Sequence, residues 1–471
     1  MGAKGKIGLI GLAVMGANLA RNLAGHGIST VVYNRSRDKT ENFLKEFGSD
    51  TNLSGAAALE ELVNSLEKPR KIILMIKAGE AVDAMIAKLI PLLEKDDILI
   101  DGGNSFFEDT RRRSREMEAL GFHFVGMGVS GGEEGALHGP SLMPGGAHEA
   151  YDVLAPILKA VSAKAEGEAC VDYMGADGAG HYVKMVHNGI EYADMQMIAD
   201  TYFVMKNVLG MTAEEMADTW ETWNKGELSS YLVEITARIL RKADEMTGKP
   251  LVDVILDVAK QKGTGRWTSM SALALGVPAP TITEAVFART MSSRKEERLV
   301  LSERYRNLAF EGAELDRPAV LEDLRQALYA SKICAYAQGF NLLEEAGKVY
   351  GWDLQMGRIA KIWRSGCIIR ARFLDTVSEI FEKENGMTNL LASGYFSQIL
   401  YGARAGWGRI ISLAVERGAA VPALSSALAY FDSYRTARGS ANLLQAQRDC
   451  FGAHTYERID KEGAFHTDWM N

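Results

Sequence analysis

Residues 6–27 read KIGLIGLAVMGANLARNLAGHG, and residues 29–36 follow as STVVYNRS. An apolar strand runs into a turn of small residues, an amphipathic helix leaves that turn, and a second strand ends about twenty residues on, the order of a βαβ unit. The turn holds Gly11, Ala13 and Gly16, so it departs from the dinucleotide fingerprint GxGxxG at the middle position. Its context supplies the rest of the signal, because such a turn sets a cofactor pyrophosphate at the start of the helix that follows. At the end of the second strand stand Asn34, Arg35 and Ser36. No acidic residue is there to accept from a ribose 2′-hydroxyl, whereas Arg35 suits a 2′-phosphate, so the pattern points to NADP over NAD.

Two further strands, RKIILMIKAG (70–79) and DDILIDGGNSF (96–106), end in small or polar residues, as strands do that open onto a crevice at their carboxyl ends. Asn104 lies at such an end. The stretch HFVGMGVSGGEEGALHGPSLMPGG (123–146) predicts a strand and then a long glycine-rich loop, in which Ser130, Gly131 and Gly132 can bring backbone N–H groups close to an anion. Turn chemistry alone also accounts for those glycines.

Outside this unit the composition bounds the class. With 471 residues, 47% hydrophobic and 24% charged, the chain is globular and too long for a single core. A net charge of −8 without a long basic tract argues against nucleic acid. The basic run at Arg111–Arg115 reads as a solvated helix face. Cys170, Cys334, Cys367 and Cys450 are far apart, which suggests neither a disulfide framework nor a zinc site and suits a reducing cytoplasm. No metal site and no membrane span are expected.

After Gly178 the β pattern gives way to amphipathic helices that run to about residue 434. Residues 198–240 match residues 336–381, with Trp223 and Gly226 recurring as Trp363 and Gly366, the mark of a duplicated helical unit. The stretch VKMVHNGIEYADM (183–195) places Lys184, His187, Asn188, Glu191 and Tyr192 on one helix face, opposite an apolar stripe of Val183, Val186, Ile190 and Met197. A solvated face is the ordinary explanation. Two features oppose it: Gly189 in mid-helix marks a close approach, and the second copy of the unit lacks the polar set, so the fold does not require it. The segment after 434 shows no clear helical period, yet Phe451, Tyr456, Phe465 and Trp469 give it too many aromatics for a solvating tail.

The motifs GLAVMGANLARN, NRS, DGGNS, VSGGEEGALHGPSLMPGG, KMVHNGIEY, QKGTGRWTS, EAVFART and LLQAQRDCFGAHTYER together resemble the 6-phosphogluconate dehydrogenases, decarboxylating enzymes of the pentose phosphate pathway. The resemblance covers nearly the whole chain. It implies an α/β Rossmann-like dinucleotide-binding domain (1–178), a large all-α domain built from the duplicated unit (179–434), and a C-terminal tail (435–471) that reaches the partner subunit of a cytoplasmic homodimer. It implies NADP held by Gly11, Ala13, Val14, Met15, Gly16, Asn34, Arg35, Ser36, Met75, Ile76, Lys77 and Asn104. By motif match Lys184 is the general base and Glu191 the general acid. Asn104, Ser130, Gly131, Gly132, His187, Asn188, Tyr192, Lys262 and Arg289 would contact 6-phosphogluconate, with Arg448 and His454 donated by the partner's tail. Two departures stand out: Lys260 precedes Gln261 where a small residue is usual, and Ser36 replaces the common Thr. Two other functions share parts of the pattern. A β-hydroxyacid dehydrogenase that does not decarboxylate would lack the duplicated helices and the phosphate-type cations, and an NADP-binding protein without turnover would not need Lys184 and Glu191.

Overall fold

The computed structural model describes residues 4–49, 52–308, 312, 314–384 and 387–470. Its first part is a seven-stranded sheet, β1 (Ile7–Ile10), β2 (Thr30–Tyr33), β3 (Leu53–Gly55), β4 (Lys71–Leu74), β5 (Ile98–Asp101), β6 (His123–Val129) and β7 (Leu142–Gly146), in the order 3-2-1-4-5-6-7. The first six strands run parallel and β7 pairs antiparallel with β6. Four of them, β1, β4, β5 and all but the first residue of β6, are wholly buried, as a parallel sheet covered on both faces must be. Separate apolar clusters, one around Leu9, Leu19 and Leu154 and one around Leu62, Leu74 and Leu99, fill its two sides. The order of the strands reverses between β1 and β4, which opens a crevice at their carboxyl ends.

Where a loop is predicted through residue 146, the structure makes a short helix of Gly132–His138 and a strand of Leu142–Gly146. Pro144 tolerates this place because β7 is the sheet's edge. The basic run also departs from expectation. It lies on α2 (Phe107–Ala119), which follows α1 (Val14–Gly25) among the helices that matter here, but Arg113 is 1% exposed and paired with Asp83. Only Arg112 and Arg115 of the charged set face water as a solvated face would; Arg111 is half-buried on Asp177.

The helical part starts with α3 (Ala179–Asn207) and includes α4 (Thr264–Leu275), α5 (Pro280–Ser293) and α6 (Arg317–Tyr350). The duplication is visible as architecture. In each copy a long helix is followed by a shorter one, a Trp–Gly turn and another helix: α3, Ala213–Trp223 and Tyr231–Arg241 in the first, α6, Met356–Ile362 and Leu374–Lys383 in the second. The two long helices lie antiparallel, since Ile190 meets Gly339 while Asp194 meets Lys332. One large core surrounds them. The tail does contain a helix, α7 (Ala441–Gly452), and a short hairpin pairing Tyr456–Glu457 with Ala464–Phe465. Among the described residues no helix is long and apolar enough to cross a membrane, and no group of three His, Cys, Asp or Glu side chains could hold a metal.

Candidate active site

The first turns of α3 sit on the edge of the sheet because glycines leave them room. A Cβ on Gly128 of β6 would fall on the Cβ of Lys184, and one on Gly180 would strike the carbonyls of Gly126 and Met143. Lys184 is thereby set 5% exposed against the strand whose end carries Ser130. Gly189 has a similar explanation. Its missing Cβ admits Thr268 of α4, whose hydroxyl donates to the Met185 carbonyl at 2.8 Å, so the close approach predicted from that glycine is made by a helix.

The polar face of α3 is not solvated. His187 is fully buried and Asn188 is 8% exposed; the Glu191 side chain, 20% exposed, is the most open of the set. Lys184 Nζ lies 3.4 Å from His187 Nδ1, and His187 Nε2 lies 3.1 Å from Ser130 Oγ. Asn188 turns its Oδ1 to the imidazole at 3.1 Å and donates from Nδ2 to Thr264 Oγ1 at 3.2 Å. Burial pushes Lys184 below the ordinary lysine range, against the pull of Glu191 and Cys367 toward the charged form. Burial, aided by the charge of Lys184, holds His187 well below the usual imidazole range. Burial raises the Glu191 carboxyl, although Lys184 and Arg289 oppose it. A lysine that can shed its proton and a carboxyl that can keep one thus share a face, spaced by their seven-residue separation on one helix.

Around this face Tyr192 is buried, with the Arg289 guanidinium 3.5 Å above its ring centre. Gly265 makes that possible, because a Cβ there would meet the Tyr192 ring at 2.5 Å or little more. Gly131 and Gly132 take φ of 103° and 63° where β6 turns into a short helix, Gly132–His138, which stands in place of the loop predicted there. Asn104 and Lys262 are exposed, the first at the end of β5 and the second just before α4. Arg448 and His454 make their contacts within the tail: Arg448 donates to Gln445 Oε1 at 3.0 Å and His454 rests on Phe451. The chain does not bring those two to Lys184 by any contact of its own that the structure records.

At the crevice Gly11 adopts φ 105°, and a Cβ on Gly16 would fall on the Gly11 carbonyl, so the turn hugs the start of α1 closely. The Leu12 amide donates to Asn34 Oδ1 at 3.2 Å, which ties the turn to the end of β2. Val14 is 56% exposed, Arg35 and Ser36 are open, Met15, Met75 and Ile76 are half-buried, and Lys77 is exposed. No acidic residue occupies the first turn of α1. A helix start with free amides, no negative charge and an open arginine beside it fits a phosphorylated dinucleotide.

Sequence reasoning missed the part played by the second copy. The Trp363 ring stands edge-on to His187 at 5.5 Å, and the Gly366 carbonyl accepts from the Ser141 amide at 2.7 Å while crowding the position a Gly131 Cβ would take. The recurrence of Trp and Gly marked this turn as a repeat, but only its mate in the other copy could have marked it as a wall of the site. Thr264, inside the QKGTG motif, and Cys367 were also passed over.

The comparisons with known proteins agree along the whole chain. Residues 6–175 match the family model for the NAD binding domain of 6-phosphogluconate dehydrogenase, and residues 180–469 match the model for the C-terminal domain of that enzyme. The chain is 58% identical over 468 residues to the NADP(+)-dependent, decarboxylating 6-phosphogluconate dehydrogenase of Bacillus subtilis, with 99% of this chain and 100% of that one covered. It is 54% identical over 470 residues to the decarboxylating enzyme of Escherichia coli, each chain covered in full. Among solved structures, the 6-phosphogluconate dehydrogenase of Plasmodium falciparum, described with its cofactor NADP+ and with its substrate 6-phosphogluconate, superposes with a TM-score of 0.96 at 43% identity, covering 98% of this chain and 100% of that one.

Proposed function

The chain belongs to the 6-phosphogluconate dehydrogenase family, and from that premise we propose that it oxidatively decarboxylates 6-phospho-D-gluconate to D-ribulose 5-phosphate and CO2 with reduction of NADP+, in the cytoplasm and without a metal. Residues 1–178 bind NADP, residues 179–434 bind the substrate and a second subunit, and residues 435–471 reach across to that subunit. When bound, NADP+ supplies the hydride acceptor. Lys184, whose proton affinity burial lowers, takes in its neutral form the proton of the substrate's C3 hydroxyl. The ammonium so formed polarises the new ketone and stabilises the enolate left as CO2 departs. Glu191, whose hold on its proton burial strengthens, delivers the proton at C1. His187, Asn188 and Ser130 hydrogen-bond the sugar acid, and Lys262, Arg289 and the partner's Arg448 grip the phosphate. The observation that carries this assignment is the placement of Lys184, buried beside His187 and Ser130, and of Glu191 on one face of α3, where burial lowers the proton affinity of the first and raises that of the second. Its test is an assay of NADPH and CO2 formation from 6-phosphogluconate. Equal formation of the two products supports the reading; NADPH without CO2, or neither, overturns it.

A shared site is supported by apolar surface that one chain leaves open: Leu443, Leu444 and Phe451 on α7, and Met270, Leu273, Phe287 and Met291 on α4 and α5. Subunit exchange between inactive Lys184→Ala and Arg448→Ala variants tests it. With donated tails each mixed dimer has one intact site, so about a quarter of all sites regain activity after random reassortment. Exchange without recovery would mean that each subunit uses its own tail.

A further inference from the structure

Behind the crevice lies a buried polar cluster that none of the roles above uses. Asp101, at the end of β5, is fully buried; it accepts from the Gly103 amide at 3.0 Å and from Ser105 Oγ at 2.6 Å, and so shapes the loop that presents Asn104. Arg113 of α2 places Nη1 3.5 Å from the Asp101 carboxylate and grips Asp83 with Nε and Nη2, while Nη2 also donates to the Gly79 carbonyl at 3.0 Å. Gly79 and Asp83 belong to the segment that follows Met75–Lys77, so one guanidinium joins the loops after β4 and β5. On the other side Thr110 Oγ1, from the same helix, lies 2.7 Å from Nδ1 of His181, three residues before Lys184 on α3. A Cβ on Gly126 would meet Thr110 Cγ2 at 2.5 Å and His181 Nδ1 at 2.9 Å, so β6 carries a glycine where the two side chains meet. His181 is 1% exposed and its Nε2 has no hydrogen-bond partner among the described residues; burial lowers its proton affinity, the Asp101 carboxylate raises it and Arg113 lowers it.

We infer that Thr110 and His181, backed by Asp101 and Arg113, are positioning residues that set the loop bearing Asn104 against the turn of α3 bearing Lys184, and so align substrate and cofactor for hydride transfer. The sheet carries the proposed cofactor crevice and α3 the proposed base, and α2 touches both. Buried hydrogen bonds are suited to that work. Each has one geometry of low energy, and a partner left unsatisfied in the interior is costly enough to hold the other in place. The inference rests on the reaction proposed above.

The test compares Thr110→Val, His181→Leu and His181→Asn with the parent protein. Kinetics are measured with 6-phosphogluconate carrying hydrogen or deuterium at C3, and binding of substrate and of NADP+ is measured separately. Thr110→Val keeps the shape and removes the bond from one side; His181→Asn keeps a polar atom where Nδ1 stands. Misplacement of reacting atoms without loss of contacts predicts that Thr110→Val and His181→Leu each lose roughly tenfold in kcat, with a larger isotope effect and dissociation constants within about threefold of the parent's. Both lesions break the Thr110–His181 bond, and the other bond of Thr110 Oγ1, to the Phe106 carbonyl at 3.3 Å, stays at the start of its own helix, so the double variant is no slower than His181→Leu, and His181→Asn stays close to the parent. Should His181→Leu fail to fold, Thr110→Val decides alone. A Thr110→Val protein with the parent's kcat and isotope effect overturns the inference, as does a fall in kcat with no change in isotope effect. A parent protein that does not turn over 6-phosphogluconate defeats the reading of the reaction itself, and the inference with it.

Discussion

The two long helices, α3 and α6, open matching copies of one helical pattern, and each buries a lysine, yet the lysines are treated in opposite ways. Lys332 is fully buried with its Nζ 2.5 Å from both oxygens of Asp194, itself 1% exposed, so the pair closes on itself and joins the two helices at their crossing. Lys184 is almost as deep but pairs with no carboxylate among the described residues; its Nζ lies 3.4 Å from the His187 imidazole, and Glu191 stands farther along the face. A buried charge with a partner in contact is neutralised and serves the fold, while one held without such a partner has its proton affinity set by burial and is free to exchange that proton with a ligand.

The sharpest way to break the comparison is to remove each lysine. Lys184→Met is expected to fold and to bind substrate, yet to lose about 10²- to 10⁴-fold in kcat, the usual worth of a general base. Steady-state turnover near the parent's would take Lys184 out of the mechanism. Lys332→Met should act on stability instead. It strands the Asp194 carboxylate in the core at a cost of about 3–5 kcal/mol, which Asp194→Asn in the same chain largely relieves. Denaturant titration measures this, and the comparison fails if the folded Lys332→Met protein loses turnover as Lys184→Met does.

A smaller effect tests why α3 can hold its charges so deep. Gly189→Ala places a methyl where Thr268 stands, and overpacking of that kind costs about 1–3 kcal/mol, offset by up to about 1 kcal/mol of better helix propensity. A Tm equal to or above the parent's would show that α4 can move aside. The subtlest sign is in the pH profile. Because Lys184 must be neutral to accept a proton, kcat/KM should rise as pH rises through its folded pKa, with a midpoint below the ordinary lysine range since burial favours the neutral form. A midpoint at the value of a free lysine would mean that burial does not tune it.

Periodicity and local chemistry carried a good part of this molecule. The βαβ opening, the crevice at Gly11, Arg35 at the end of β2 and the polar face of α3 were all legible, since each depends on residues close together in the chain and on a repeat of 2 or 3.6. The duplicated helices were legible as self-similarity. What failed was judgement of burial: nothing local distinguishes Arg113, sealed against Asp83 and Asp101, from Arg112 beside it.

Local pattern was thus enough for the βαβ opening and the long helices, for the place of the glycine turn and the arginine beyond it, and for Lys184 and Glu191 sharing one helix face, though not for the helix and strand at Gly132–His138 and Leu142–Gly146. Only the tertiary structure decided that this face would be dry, with a glycine of β6 under Lys184, Thr268 against Gly189, and the Trp363–Gly366 turn of the second copy closing on His187 and Gly131. The physical reason is that a side chain's proton affinity depends on the water it loses, and that loss is imposed by elements far away in the chain, which meet only when the core packs.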